Sequence, residues 1–217
     1  MKHPTNRRSF LHAVAGVGLW AQVFDPSQPL PANLPVPVDD GACKHLPGMA
    51  VPKIKLRSTR DRWVDLSAVS APRVVVYGYP RTGVPGQPLL PGWDAIPGAR
   101  GCTPQSCAFR DHHAELMALG VAAVYGLSTQ DTAHQREAAD RLHLPFALLS
   151  DERLALTNAM RLPTFQVGSM VLLKRVTLII RDGVVKHVFY PVFPPDRNAG
   201  DVLKWLPSGN SRDPAAG

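Results

Sequence analysis

In Gly101-Cys102-Thr103-Pro104-Gln105-Ser106-Cys107-Ala108-Phe109-Arg110-Asp111, two cysteines stand five residues apart where a helix begins. Thr103 is placed to cap that helix and Pro104 to fill its first position. Upstream, Arg73-Val74-Val75-Val76-Tyr77-Gly78-Tyr79 is β-branched and uncharged beyond its first residue, as a strand buried on both faces requires. A proline- and glycine-rich loop from Pro80 to Gly101 joins the two.

Outward from this core the pattern alternates. Thr103 to Leu119 reads as one helix, Val121 to Leu127 as a strand and Thr132 to Leu142 as a helix. Phe146 to Leu149 is a short strand, and Asp151 to Met160 a helix with acidic residues at its start. Met170 to Ile180 and Val184 to Phe189 form a hairpin across Arg181-Asp182-Gly183, and Ala199 to Leu206 is a last helix. Before the central strand, Lys53 to Leu56 and Trp63 to Leu66 alternate polar and apolar residues as a hairpin does. Strands alternating with helices, with hairpins at both ends, predict an α/β sandwich around a mixed sheet.

The N-terminal part reads differently. Arg7-Arg8-Ser9-Phe10-Leu11 followed by an apolar stretch from Ala13 to Phe24 has the grammar of an export signal and is too short to span a bilayer. The paired arginines resemble a twin-arginine signal. A disordered or helical extension is the alternative reading of residues 1–30. Residues 31–48 form a proline-rich lead-in, residues 49–207 the domain and residues 208–217 a disordered tail. The expected location is periplasmic or exported, with the cytoplasm as the alternative and no membrane attachment of the mature form.

Of 217 residues, 45% are hydrophobic and 19% charged, enough for one core without disulfide staples. Three cysteines are too few, and odd in number, for a disulfide-framed miniprotein. The net charge of +7 is spread without a basic block and interleaved aromatics, which argues against nucleic acid. The three cysteines and eight scattered histidines show no metal-ligand spacing.

A thiol at Cys102 would sit at the positive end of its helix, where the thiolate is favoured and the sulfur becomes a nucleophile. Helical geometry puts the Cα atoms of Cys102 and Cys107 roughly 8–9 Å apart, beyond disulfide reach while the first turn stays wound. That spacing argues against a dithiol oxidoreductase whose cysteines close in place. Cysteines near a helix start serve equally as small buried side chains, so the residues alone leave both readings open.

From about Leu46 to Leu206 the chain resembles the Q-type peroxiredoxins, the bacterioferritin-comigratory-protein group. The matching pieces are Tyr79-Pro80, Gly101-Cys102-Thr103 with Cys107, Phe109-Arg110-Asp111 and Gly126-Leu127-Ser128-Thr129. Downstream they continue in Leu148-Leu149-Ser150-Asp151, Arg175-Val176-Thr177-Leu178-Ile179-Ile180 and Asp182-Gly183. The resemblance implies a thioredoxin-like three-layer sandwich and a cofactor-free, thiol-dependent peroxidase acting on hydrogen peroxide or alkyl hydroperoxides. Cys102 matches the peroxidatic cysteine, Cys107 the resolving cysteine of members that carry it five residues later, and Arg175 the arginine that stabilises the thiolate. An intramolecular disulfide, reduced by a thioredoxin-like dithiol, completes the implied cycle, in a monomer or weak homodimer.

One position departs from the family. The threonine expected three residues before the peroxidatic cysteine is Ala99, and Tyr79 to Gly86 looks like the start of the motif, with roughly fifteen residues inserted after it. Thr82 is the candidate to supply the missing hydroxyl, and Arg100 a nearby positive charge. Trp93-Asp94 in the insertion is expected to cap the site or meet another subunit, and Cys43 to be a spare thiol or a second resolving partner. The rival functions are a non-catalytic thioredoxin-like binding module, which Ala99 favours, and an exported thiol–disulfide exchange protein.

Overall fold

A computed structural model describes residues 24–25, 29–69 and 72–209. The signal and the C-terminal tail expected from the sequence therefore lie almost wholly outside the described residues. Nine strands and five helices follow in the order β1 (Lys55–Ser58), β2 (Trp63–Asp65), β3 (Val74–Gly78), α1 (Cys102–Asp111), α2 (His113–Ala118), β4 (Ala123–Ser128) and α3 (Thr132–Arg141). Then come β5 (Ala147–Ser150), α4 (Ala155–Met160), β6 (Thr164–Val167), β7 (Met170–Leu173), β8 (Val176–Arg181), β9 (Val184–Phe189) and α5 (Asn198–Gly209).

Seven strands form one mixed sheet in the order β2-β1-β5-β4-β3-β8-β9. The β3–β4 and β4–β5 pairs are parallel, and the others antiparallel. The uncharged run at β3 lies inside the sheet, between β4 and β8, with all five residues buried, as its composition requires. Its alternating side chains feed two cores. Val74 and Val76 join Leu156 and Met160 of α4 together with Cys43 and Leu46 from the lead-in and Val51 just after it. Val75 and Tyr77 face the opposite way, onto Phe109 of α1, Leu116 of α2, Ala138 of α3 and Val202 of α5. Helices on both faces of the sheet make the three-layer sandwich, and β1–β2 is the expected N-terminal hairpin.

Four local expectations are corrected. The stretch Met170 to Ile180 is not one strand: it breaks at Lys174-Arg175 into β7, paired only with β6, and β8 of the main sheet. The Lys174 N–H there donates to the Pro163 carbonyl at 2.8 Å, continuing the β6–β7 register by one pair, while the Arg175 side chain turns inward, 3% exposed. The helix expected over 103–119 divides at His112, which leaves helical geometry at φ −92° and ψ 6° while its N–H still donates to the Ala108 carbonyl at 3.0 Å. The helix expected from Asp151 starts at Ala155, because the buried Asp151 carboxylate is used as an acceptor for the Leu156 and Thr157 N–H groups and the Thr157 hydroxyl. Finally, Gly101 rather than Thr103 caps α1, with φ of 101°.

The lead-in is docked on the domain. Gly48 and Val51 donate to the carbonyls of Val185 and Gly183, lengthening the sheet beyond β9. Asp40 pairs with Lys174 at 2.7 Å and accepts from the Tyr190 hydroxyl at 2.8 Å. The inserted loop is packed too: Trp93 and Ala99 are buried against Leu172 of β7, with Trp93 also against Phe165 of β6. This third small core explains why the β6–β7 pair stands apart from the main sheet.

Candidate active site

The Cys102 sulfur lies at the first position of α1, 3% exposed, where the unpaired N–H groups of a helix start converge. Arg175 Nη2 donates to its Sγ at 3.1 Å and the Arg81 N–H at 3.4 Å. As a thiol, Cys102 can itself donate to the Ala99 carbonyl at 3.8 Å. Arg175 is fixed from three sides: Nη2 also reaches the carbonyls of Ala99 at 3.1 Å and Arg100 at 2.8 Å, and Nη1 donates to Gln105 Oε1 at 2.5 Å. Gln105 is held in turn by donating to Asn198 Oδ1 at 3.0 Å, and that oxygen also accepts from the Thr177 hydroxyl. A guanidinium so restrained stays aimed at the sulfur without a reorganisation cost.

Sequence reading missed Gln105, Asn198 and Arg81. Gln105 follows Cys102 by three residues, hence on the same helix face, and that spacing was an available signal. Asn198 carried none, since its partners lie far away in sequence.

The structure separates the remaining site expectations. Thr82 is buried, and its hydroxyl donates to Gln130 Oε1 at 3.2 Å instead of facing the sulfur. Its backbone is held as well: the Thr82 N–H donates to Gln130 Oε1 at 2.9 Å, and Gln130 Nε2 and His134 Nε2 both donate to the Thr82 carbonyl. The hydroxyl missing at Ala99 is therefore not restored by Thr82 in this conformation. Arg100 is not solvated: it pairs with Asp94 at 3.2 Å and lines the cavity beside Cys102. Trp93 lines the same cavity, so the insertion covers the site.

Cys107 is half-buried on α1, unbonded to Cys102, and burial pushes its thiol above the ordinary value. Cys43 lies in the core on the other side of the sheet, where burial and then Asp40 push its thiol up to about 12. With the sheet between them, Cys43 cannot resolve a Cys102 intermediate while the fold is intact. Among the described residues no group of histidines, cysteines and carboxylates is arranged to hold a metal ion. His113 packs beside Phe146, with burial holding its pKa below the ordinary value, and His112 meets Glu115.

Comparison with known proteins agrees with this chemistry. The Redoxin family model matches residues 46–203. Chloroplastic peroxiredoxin Q of Oryza sativa subsp. japonica is 34% identical over 186 residues, covering 83% of this chain and 77% of that protein. Chloroplastic peroxiredoxin Q of Populus jackii is 32% identical over 162 residues, 74% of this chain and 68% of that one. Among solved structures, peroxidoxin BcpB from Mycobacterium tuberculosis superposes with a TM-score of 0.61 at 24% identity, over 76% of this chain and 98% of that one. Peroxiredoxin Q of Xanthomonas campestris gives 0.60 at 20%, over 76% and 96%. The sandwich is thus the thioredoxin-like fold, and the chain belongs to the Q-type peroxiredoxins of the Redoxin family, thiol-dependent peroxidases that take peroxide as substrate and a thioredoxin-like dithiol as reductant.

Proposed function

We propose that Cys102 is the peroxidatic residue, Cys107 the resolving one and Arg175 the group that steadies charge on both sulfur and peroxide. The observation that carries the reading is the 3.1 Å approach of Arg175 Nη2 to Sγ, with Cys102 itself lining a small cavity. The Cys102 thiolate attacks the terminal peroxide oxygen. As the S–O bond forms and the O–O bond breaks, sulfur is oxidised to sulfenic acid, and the alkoxide or hydroxide leaves and takes a proton. The Arg81 N–H and the Arg175 guanidinium supply the donors for the anionic oxygens, and Arg100 adds a cationic wall partly balanced by Asp94. Thr82 acts through the backbone, its ties to Gln130 fixing the neighbouring Arg81 N–H.

Cys107 then attacks the sulfenic sulfur, releasing water and forming the disulfide. The first turn of α1 must unwind for this, because a wound helix holds the two Cα atoms roughly 8–9 Å apart. A thioredoxin-like dithiol restores the pair by exchange.

Peroxide consumption driven by thioredoxin is the test, with Cys102→Ser and Cys107→Ser beside the wild type. Cys102→Ser is expected to fall to the buffer rate, and the oxidised wild type to yield a Cys102–Cys107 peptide. Equal turnover by wild type and Cys102→Ser would overturn the assignment.

Export through the twin-arginine route is proposed from Arg7-Arg8-Ser9-Phe10-Leu11 and the apolar stretch behind it. Lysine at both Arg7 and Arg8 is expected to keep the protein in the cytoplasm in a fractionation experiment; unchanged export would refute the route.

A further inference from the structure

Phe24 ends the apolar N-terminal stretch, yet it is seated on the domain. Its N–H donates to the Gln87 carbonyl at 2.8 Å, and its carbonyl accepts from the Gly86 N–H at 3.1 Å. The ring lies against Gly83, so close that a β-carbon on Gly83 would stand 2.6 Å from it. Leu30 packs near the helix start: its Cδ1 is 3.3 Å from the place a β-carbon on Gly101 would take. Gly83 and Gly101 lie close to the two chain positions that hold the sulfur, Arg81 and Cys102. Phe24 and Leu30 thus line the same cavity as the thiol.

With Val84, Leu90 and Trp93 of the insertion, these two side chains wall the cavity that Cys102 and Arg100 share. The room within it is about 70 Å³, and it opens to solvent. Pockets for organic ligands begin near roughly 300 Å³, so the cavity takes a few heavy atoms. Its walls mix these apolar side chains with Asp25, Gln87, Arg81 and Arg100. Bulk at its mouth meets Phe24 and Leu30, while the peroxide oxygens reach the sulfur and the Arg81 N–H beside it. Phe24 and Leu30 also lie outside the matched family region at residues 46–203, so this closure belongs to the chain's own N-terminal segment and is present in the chain that keeps residues 24–30.

We propose that Phe24 and Leu30 set the size of the hydroperoxide admitted, selecting hydrogen peroxide and similarly small hydroperoxides over those with aromatic or branched tails. The proposal rests on the peroxidase reading and adds the substrate class to it. The two residues act by exclusion and take no part in bond making. Removing them widens the entrance without cutting into the domain.

The experiment compares full-length wild type, Phe24→Ala, Leu30→Ala, the double alanine variant and Phe24→Trp. Each is assayed with hydrogen peroxide and with cumene hydroperoxide under one reductant, and folding is checked by circular dichroism. The double alanine variant is expected to shift the ratio of kcat/KM values about tenfold towards cumene hydroperoxide, the scale at which pocket fit discriminates. Its hydrogen peroxide rate should stay within about twofold of wild type. Phe24→Trp, which fills the same space, should move the ratio the other way. A ratio unchanged within about twofold in the folded variants, or one shifted towards hydrogen peroxide by the alanines, overturns the proposal. Failure of the underlying reading looks different: wild type would then turn over neither peroxide.

Discussion

Cys43, Cys102 and Cys107 occupy three environments, and their reactivity follows from what surrounds each sulfur. Cys102 has a guanidinium and an amide N–H aimed at it; Cys107 has partial burial, opposed in part by Arg110; Cys43 has deep burial and a carboxylate nearby. Only thiolate reacts with an alkylating agent, so a thiol raised to about 12 is inert at neutral pH. Native iodoacetamide treatment followed by peptide mapping should therefore leave Cys43 unmodified after Cys102 and Cys107 are labelled. Labelling of Cys43 first would contradict the buried placement. The Cys107→Ser variant should likewise form no Cys43–Cys102 bridge on oxidation. Gln105 works through Arg175: its carbonyl oxygen holds Nη1, while its amide is held by Asn198. Gln105→Leu should lower the second-order rate with peroxide by about ten- to a hundredfold, on the scale of losing orientation in a preorganised site. Glutamate at this position, which keeps the acceptor, should recover part of the loss, whereas a merely structural role would give no such rescue.

At the scale of the element, α1 must be both a platform and a hinge. Its N-terminus is set by Gly101, with φ of 101°, where a β-carbon would stand 2.2 Å from Pro195 Cγ. Both the backbone conformation and the space exclude a side chain. Gly101→Ala should cost more than about 1 kcal/mol in urea unfolding, because the strain and the contact add. The same helix carries the resolving cysteine, whose approach requires the first turn to open. Hydrogen exchange at residues 102–107 should accordingly quicken in the disulfide form and slow again on reduction, while α3 and the central strands stay unchanged. Equal protection in both redox forms would rule out unwinding. The break between β7 and β8 belongs to this scale too. A continuous strand would hold Arg175 in a ladder, whereas the break lets its side chain turn to the sulfur.

For the whole molecule, the lead-in is fastened by a small polar cluster. The Lys174 ammonium beside Asp40, with the Tyr190 hydroxyl second, holds the Asp40 carboxyl well below the usual carboxylate range. A carboxyl depressed in the folded state contributes stability above its unfolded value and loses it as pH falls through the folded one. Docking of residues 36–46 should thus persist at neutral pH and weaken progressively once pH falls below about 4, the ordinary carboxylate value. Limited proteolysis across pH is the measurement, and Asp40→Asn should loosen the segment already at pH 7. The lead-in also contributes Cys43 and Leu46 to the core, so its anchoring is shared between apolar burial and the polar cluster.

The sequence by itself determined the buried strand at Val74–Gly78, a helix opening near the cysteine and the hairpin across Asp182-Gly183. Each is written in a short run: uncharged β-branched residues, a threonine and proline after the cysteine, an Asp-Gly turn between alternating strands. It also marked Cys102, Cys107 and Arg175 through a resemblance carried by ordered motifs. What only the tertiary structure decided are the relations between distant residues. Thr82 looked free to supply a hydroxyl until Gln130, forty-eight positions on, took it. The proline-rich lead-in read as linker because no local pattern reveals that a partner at Lys174 and Tyr190 holds it down. Arg175 stood inside an apparently continuous strand, and its turn inward follows from Gln105 and the carbonyls of Ala99 and Arg100, about seventy positions earlier. Local conformational preference is legible along the chain, but the fate of a buried polar group is settled by whichever partner the fold brings to it.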